Sequence, residues 1–251
     1  MSRLWPSVHI ALTPGHVAVA NGKASRQSDV DSPGWPGALK TLSALLAGGV
    51  WRGRADVTLS HHFAHMHCLP PPPVLLKPSE MPAWIYDYLE HQYGEAGMDW
   101  KLAWQSEAPG KPFLAGSIAG TLLAELEETL RGAALKPVSV QPWFAIAWNR
   151  NYRRFGKGQA WYALVEPGRM MLASLGGGEI RSLRTTPIQG NPAAPLADLV
   201  KREALLAGIA ADAPVWIDSV LMRADWRDPG GGLNTRVLPT AGESLAAMLG
   251  N

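Results

Sequence analysis

An apolar run, a Pro-Gly turn and a second apolar run open this chain, and the same arrangement returns in its second half. Ile10-Ala11-Leu12-Thr13-Pro14-Gly15 aligns with Ala163-Leu164-Val165-Glu166-Pro167-Gly168 at a separation of 153 residues. Proline presets φ for one corner of a turn and glycine frees the next, so both segments read as β-hairpins. Each opens a three-stranded meander with a helix behind it, as duplication of one α/β lobe leaves behind. Pro-Gly turns are common between strands, and the match taken alone fits coincidence equally well. A chain of 251 residues can bury two coupled cores without covalent staples. Its single cysteine, Cys68, excludes an internal disulfide and a zinc framework of cysteines.

Apolar spacing organises the rest. After strands Val8–Leu12 and His16–Ala20, closed by Asn21-Gly22, the three- and four-residue repeat of Ala38, Leu39, Leu42, Leu45 and Leu46 predicts a helix. Pro36 starts it and Gly48-Gly49 end it, and Asp56–Ser60 is a strand. From His61 the texture changes. A strand to Cys68, the run Pro70–Pro73 and a helix launched by Ser79 follow, and the helix carries Met81, Trp84, Ile85, Tyr88 and Leu89 on one face. Gly94 stops this helix, and Trp100, Leu102 and Trp104 alternate on the next strand. Residues 61 to 110 therefore read as a small inserted α/β subdomain. A helix over Ser117–Arg131, striped by Ile118, Leu122, Leu126 and Leu130, and a strand Val138–Gln141 complete a first lobe of residues 1–141.

The second lobe, 142–251, begins with a helix through Phe144, Ala147 and Trp148, which runs into a polar crossing at Asn149–Arg154. Strands Ala160–Glu166, Arg169–Leu175 and Glu179–Thr186 form the second meander. A helix capped by Asn191 with Pro192 at its first position, a strand Pro214–Val220, a Gly230–Gly232 loop and a final helix from Thr240 with Glu243 in a capping box follow.

Two stretches, Val57 to Pro70 and Ala163 to Ile188, together with this element order, resemble the actin-like PilM and GspL families of type IV pilus and type II secretion assembly. The resemblance spans most of the chain. It implies an α/β, actin-like (ribonuclease H-like) two-lobed fold with a small inserted α/β subdomain. In the nucleotide-binding relatives each hairpin turn carries an Asp two residues before a Gly, so that carboxylates organise Mg²⁺ while backbone N–H groups cradle phosphate. Here Thr13 stands in the acidic position before Gly15, and Pro14 removes a backbone N–H. The second turn keeps a carboxylate in Glu166 before Gly168, but sets Pro167, Arg169 and Met170 where phosphates lie. These degenerate turns predict a protein that is not an enzyme and needs no cofactor. Arg169 leaves open the alternative of an ATP-binding switch or weak ATPase.

The resemblance further implies a cytoplasmic scaffold, peripheral to the inner membrane, that binds the cytoplasmic segment of an inner-membrane assembly protein and meets a secretion ATPase. Its expected docking groove lies beside the insert, with Phe63, Trp84 and Tyr88 supplying pockets for an added strand. The competing reading is zinc held by His65 and His67, which share a strand face with His61 and Phe63 at about 6.6 Å spacing. No third ligand stands at recognisable spacing. A charge of +2 argues for neither nucleic acid nor an anionic membrane. Neither a span of 18 apolar residues nor a secretory leader is predicted. The Gly-x-Ser-x-Gly, phosphate-loop and cysteine-protease signatures are absent.

Overall fold

The computed structural model describes residues 7–22, 24–94, 99–105, 110–210, 212–220, 226 and 232–239. The chain divides into two compact units, Met1–Pro142 and Trp143–Asn251.

The first unit begins with β1 (Ser7–Leu12), β2 (His16–Asn21) and β3 (Ala24–Asp29), an antiparallel meander paired Leu12 to Val17 and His16 to Asp29. Helix α1 (Trp35–Ala47) then returns the chain, so β4 (Gly53–Leu59) pairs parallel with β1, Val57 beside Ile10. This is the connection a helical crossover demands. After the insert, α3 (Gly120–Gly132) leads to β8 (Leu135–Pro142), parallel to β4, and the sheet order is β3-β2-β1-β4-β8. Ile10, Leu12, Val17, Val19, Val57 and Leu59 face Ala38, Leu39, Leu42 and Leu46 of α1 and Leu122, Leu126 and Leu130 of α3 in one buried core. Most of the positions in the expected helical stripes are buried, with Leu45 half-buried at the edge of the core.

The insert holds β5 (Ala64–Leu69), α2 (Met81–Tyr93), β6 (Trp100–Trp104) and β7 (Phe113–Ala119). Its sheet runs β5-β7-β6, antiparallel throughout. Helix α2 covers one face, where Ile85 and Leu89 meet Leu69, Phe113 and Ala115.

Three expectations need correction here. His61, His62 and Phe63 form a turn rather than the start of a strand, because the amides of Phe63 and Ala64 bond back to the Ser60 carbonyl. Ser117 and Ile118 lie on β7, a strand whose Ala-Gly-Ser content hides it and which pairing on both sides imposes. Helix α3 starts at Gly120 because Asp99 caps it, its carbonyl taking the Gly120 amide at 2.9 Å and its Oδ2 the Thr121 amide at 3.2 Å. A Cβ at Gly120 would lie 2.7 Å from that carbonyl, so the cap needs glycine. Finally, Ser79 caps nothing: Glu80 precedes α2, and its carboxylate takes the Lys77 amide at 2.7 Å.

The second unit opens with α4 (Trp143–Asn151) and a 3₁₀ turn, Tyr152–Arg154, so the polar stretch expected as a crossing belongs to this unit. The meander β9 (Ala160–Glu166), β10 (Arg169–Gly176) and β11 (Glu179–Pro187) leads through α5 (Ala193–Ala207) to β12 (Val215–Ser219) and the short β13 (Thr235–Val237), which the sequence did not suggest. The Asn191 side chain takes the Ala193 amide at 2.9 Å, capping α5 from one residue further out than expected. The sheet order is β11-β10-β9-β12-β13. Trp161, Ala163 and Val165 bury against Leu196, Leu199 and Val200 of α5. The final helix expected from Thr240 and the glycines 230 and 231 lie outside the described residues.

The two units repeat one topology, and the repeat extends to single hydrogen bonds. The Ser60 amide bonds the Leu12 carbonyl, and the Val220 amide bonds the Val165 carbonyl, which the 153-residue offset predicts from Leu12. The Val30 amide bonds Gly15, and the Ile188 amide bonds Gly168.

Candidate functional site

Three places carry the chemistry that the sequence singled out. The first is the β1–β2 turn. The Thr13 hydroxyl donates to the His16 carbonyl at 2.8 Å and accepts the His16 amide at 2.9 Å, while the Thr13 amide donates to the same carbonyl at 3.0 Å. The Gly15 carbonyl is taken by Val30 at 2.9 Å, and the His16 ring nitrogen meets Asp29 at 2.7 Å. Pro14 has no N–H to offer. Thr13 thus serves the hairpin itself, and the amides of Thr13 and His16 are spent inside the turn rather than aimed at a ligand.

The second is the β9–β10 turn with the strand beside it. Glu166 pairs with Arg169 across Pro167-Gly168, and Glu166 is 2% exposed at the carboxyl end of β9. Alternation puts Tyr162 and Leu164 on the face of Glu166, and Asp218, opposite Leu164, shares it. Asp218 is 1% exposed. It accepts from Asn151 Nδ2 at 3.0 Å and from the Tyr162 hydroxyl at 3.3 Å, and Asn151 also donates to the Ala147 carbonyl at 3.0 Å. Complete burial, reinforced by the neighbouring Asp218 carboxylate, pushes the Tyr162 phenol well above its ordinary range. Asp218, Asn151 and Tyr162 are not among the residues that the sequence patterns singled out. An aspartate inside the apolar run Val215–Ser219 was the available signal, since an unpaired carboxylate is seldom buried.

The third is the insert. His65 and His67 share the face under α2, their rings 6.4 Å apart, and both stack on Trp100 at 5.1 and 5.9 Å. The His67 Nε2 meets Ser117 Oγ at 2.9 Å, and Tyr93 closes edge-on. Burial, with a smaller contribution from His65, lowers the His67 pKa to about 4. Among the described residues, no group of three or more His, Cys, Asp and Glu side chains is placed to hold a metal ion.

Trp84 and Tyr88, half-buried, stack on one another at 5.7 Å, with Trp84 against Phe113 at 5.9 Å. Tyr86, on the opposite flank of α2, donates to the Trp100 carbonyl on β6 at 2.5 Å. The Trp84–Tyr88 flank packs against the cluster that holds Leu69 of β5 and Phe113 of β7, and β5, like β6, is an edge of this sheet. Phe63 is not part of this flank. It is 5% exposed and packs in the core of the first sheet, a correction to its expected role as a docking pocket. Each of the ten described tryptophans is buried or half-buried.

Two sheets of one topology, each a meander extended by parallel strands across a helical crossover, with a small sheet-and-helix insert between β4 and α3, make this an actin-like fold. Among solved structures, it is similar to the PilM–PilN type IV pilus biogenesis complex, at a TM-score of 0.67 over 97% of this chain and 90% of that one, with 14% identity. A Bacteroides thetaiotaomicron protein with an actin-like ATPase fold and unknown function gives 0.68 over 97% and 95% at 10% identity. The cytoplasmic domain of EpsL, an inner membrane component of the Vibrio cholerae type II secretion system, gives 0.59 over 98% and 93% at 11% identity. No family model and no curated protein matches the sequence. The likeness read from the sequence to pilus and secretion assembly proteins therefore holds as a shared fold. Among the described residues no helix is long and apolar enough to cross a membrane.

Proposed function

We propose that the chain is a non-catalytic actin-like scaffold of a pilus or secretion assembly platform, holding an extended cytoplasmic segment of a membrane-anchored partner. The observation that carries this reading is the position of β5 at the edge of the insert sheet, beside the Trp84–Tyr88 flank of α2. An edge strand offers unpaired backbone groups to an incoming strand, and neighbouring aromatics give pockets for alternate side chains. The self-bonded Thr13 turn supports a role without nucleotide chemistry. The fold shared with a protein described in complex with PilN supports the kind of partner.

The test is amide hydrogen exchange on the purified protein with and without synthetic cytoplasmic segments of inner-membrane assembly proteins. Binding that slows exchange in Ala64–Leu69, and that W84A/Y88A weakens in a folded protein, supports the reading. Binding that leaves Ala64–Leu69 exchange unchanged, or that the double variant does not weaken, sinks it.

A second reading, a nucleotide-gated switch through Glu166 and Arg169, draws on the burial of the Glu166 carboxylate at its turn. Saturable heat on calorimetric titration with Mg·ATP, lost in E166Q, would favour it over the scaffold.

A further inference from the structure

Charge is divided unevenly along the chain. Residues 1–142 hold eleven Lys and Arg against twelve Asp and Glu, whereas residues 143–251 hold twelve against nine. Three of those nine, Glu166, Glu203 and Asp218, are buried. A near-neutral total therefore conceals an excess of positive charge on the second unit. Much of it gathers at one end of that unit, where β9, β12 and β13 begin side by side, Trp161 beside Val215 and Val215 beside Thr235. The 3₁₀ turn and the loop entering β9 carry Arg153, Arg154 and Lys157, all exposed. The Lys157 carbonyl takes the Gly177 amide at 3.1 Å, which ties that loop to the β10–β11 turn. Arg181, just past the turn, bonds the Gly176 carbonyl and pairs with Glu179. Arg236 lies over the Trp216 ring at 5.0 Å.

Helix α5 runs back to the same end, since the chain leaves it at Gly208 and enters β12 at Val215. Its last two turns begin with Lys201 and Arg202, the latter sharing the buried Glu203 with Arg184. Asp212 is the exposed carboxylate of the connection to β12. With both ion pairs counted, cations still outnumber carboxylates among the described residues of this end. At the tip of α5 stand Leu205 and Leu206, 88% and 72% exposed, while Leu196, Leu199, Val200 and Ala204 pack on the sheet. Single exposed leucines are ordinary on protein surfaces, but two together at a helix end beside a basic surface form an interfacial patch. Around them the surface is Gly156, Gly158, Gly177, Gly178 and Gly208, all exposed, with no side chains to hold a flat partner away.

We propose that this end of the second unit rests directly on an anionic phospholipid bilayer, with Leu205 and Leu206 entering the interfacial layer and Arg153, Arg154, Lys157 and Lys201 meeting headgroup phosphates. Two leucines offer too little apolar area for a stable protein interface, yet they can enter the boundary between headgroups and acyl chains when cations hold the surface there. A soluble acidic protein would answer the cations but gives no reason for both leucines to stand in water. An anionic bilayer answers both. The surface is separate from the β5 edge and does not rest on the reading of that edge.

The test is co-sedimentation of the full chain with vesicles of phosphatidylcholine alone and of phosphatidylcholine mixed equally with phosphatidylglycerol. The chain binds the mixed vesicles, leaves the neutral ones in the supernatant, and is released by salt. L205S/L206S, which changes no charge, weakens binding about tenfold, and R154E/K157E weakens it about tenfold or more. Two controls lie in the first unit. V74S/L75S alters another exposed apolar pair, and K40E/K136E makes the same change in net charge at exposed lysines. Both controls bind as the parent does, and melting curves confirm that the exposed substitutions fold. Absence of binding to the mixed vesicles, equal binding to the neutral ones, an unchanged affinity in L205S/L206S or R154E/K157E, or an equal loss in either control each overturns the proposal.

Discussion

Thr13 and His16 close the first hairpin on each other through the Thr13 hydroxyl, which gives one hydrogen bond to the His16 carbonyl and takes another from the His16 amide. Thr13 is therefore a structural part of the turn, and its loss has a cost that can be measured. Thr13→Val removes both side-chain bonds while keeping the branched shape, and we expect a loss of about 1 kcal/mol in urea unfolding, because the turn is exposed and water replaces the lost partners. Thr13→Ser keeps both bonds and stays close to the parent.

His67 makes stability depend on pH. Its imidazole titrates near 4 in the folded state against 6.5 when unfolded, so the unfolded chain takes up the proton first as pH falls. The stability is fully present above pH 6.5, declines between 6.5 and about 4, and levels off below. The total loss from this group is about 3 kcal/mol, taking about 1.4 kcal/mol for each unit of pKa difference. Histidine-resolved NMR titration gives the midpoint directly, and His67→Gln flattens the stability profile in this window.

Among its contacts, the buried Asp218 carboxylate accepts from the neutral donors Asn151 and Tyr162. Tyr162→Phe takes one donor from a buried carboxylate and should cost about 1–3 kcal/mol. Asn151→Ala costs more, since it also removes the side-chain bond to the Ala147 carbonyl. A thermal-unfolding double-mutant cycle between Asn151 and Tyr162 should be non-additive, because both donate to one oxygen, Oδ2.

Gly49 follows Gly48, the C-cap of α1, and makes room for a ring. A Cβ there would lie 2.4 Å from the Trp51 indole nitrogen. Gly49→Ala is expected to destabilise by about 1–3 kcal/mol by displacing that ring. Gly22→Ala, at a position with no atom within 4 Å, is the matched control and should be neutral or slightly stabilising.

Local spacing accounts for much of this fold. Leu42 and Leu46 on α1, and Leu122, Leu126 and Leu130 on α3, are buried as their three- and four-residue spacing requires. The Pro-Gly turns sit where the aligned hexapeptides put them. What escapes a reading of the sequence are features made by partners distant along the chain. Strand β7 has a weak intrinsic preference and exists because β5 and β6 pair on both its sides. The apolar and histidine alternation that marks β5 runs back to His61, yet the strand begins only at Ala64 because the Ser60 carbonyl captures the intervening amides. Asp99 caps α3 from far outside the helix, beyond the reach of any local capping motif.

The sequence by itself determined the hairpins, the helical stripes and the order of elements. All of these depend on residues within a few positions of one another, through backbone preference and the period of apolar side chains. The tertiary structure alone decided that β5 is an edge strand beside Trp84 and Tyr88, that Phe63 belongs to the core, and that Asp218 meets Tyr162. Each of those depends on which strands and helices lie side by side, and that is set by burying whole faces together rather than by any short stretch of chain.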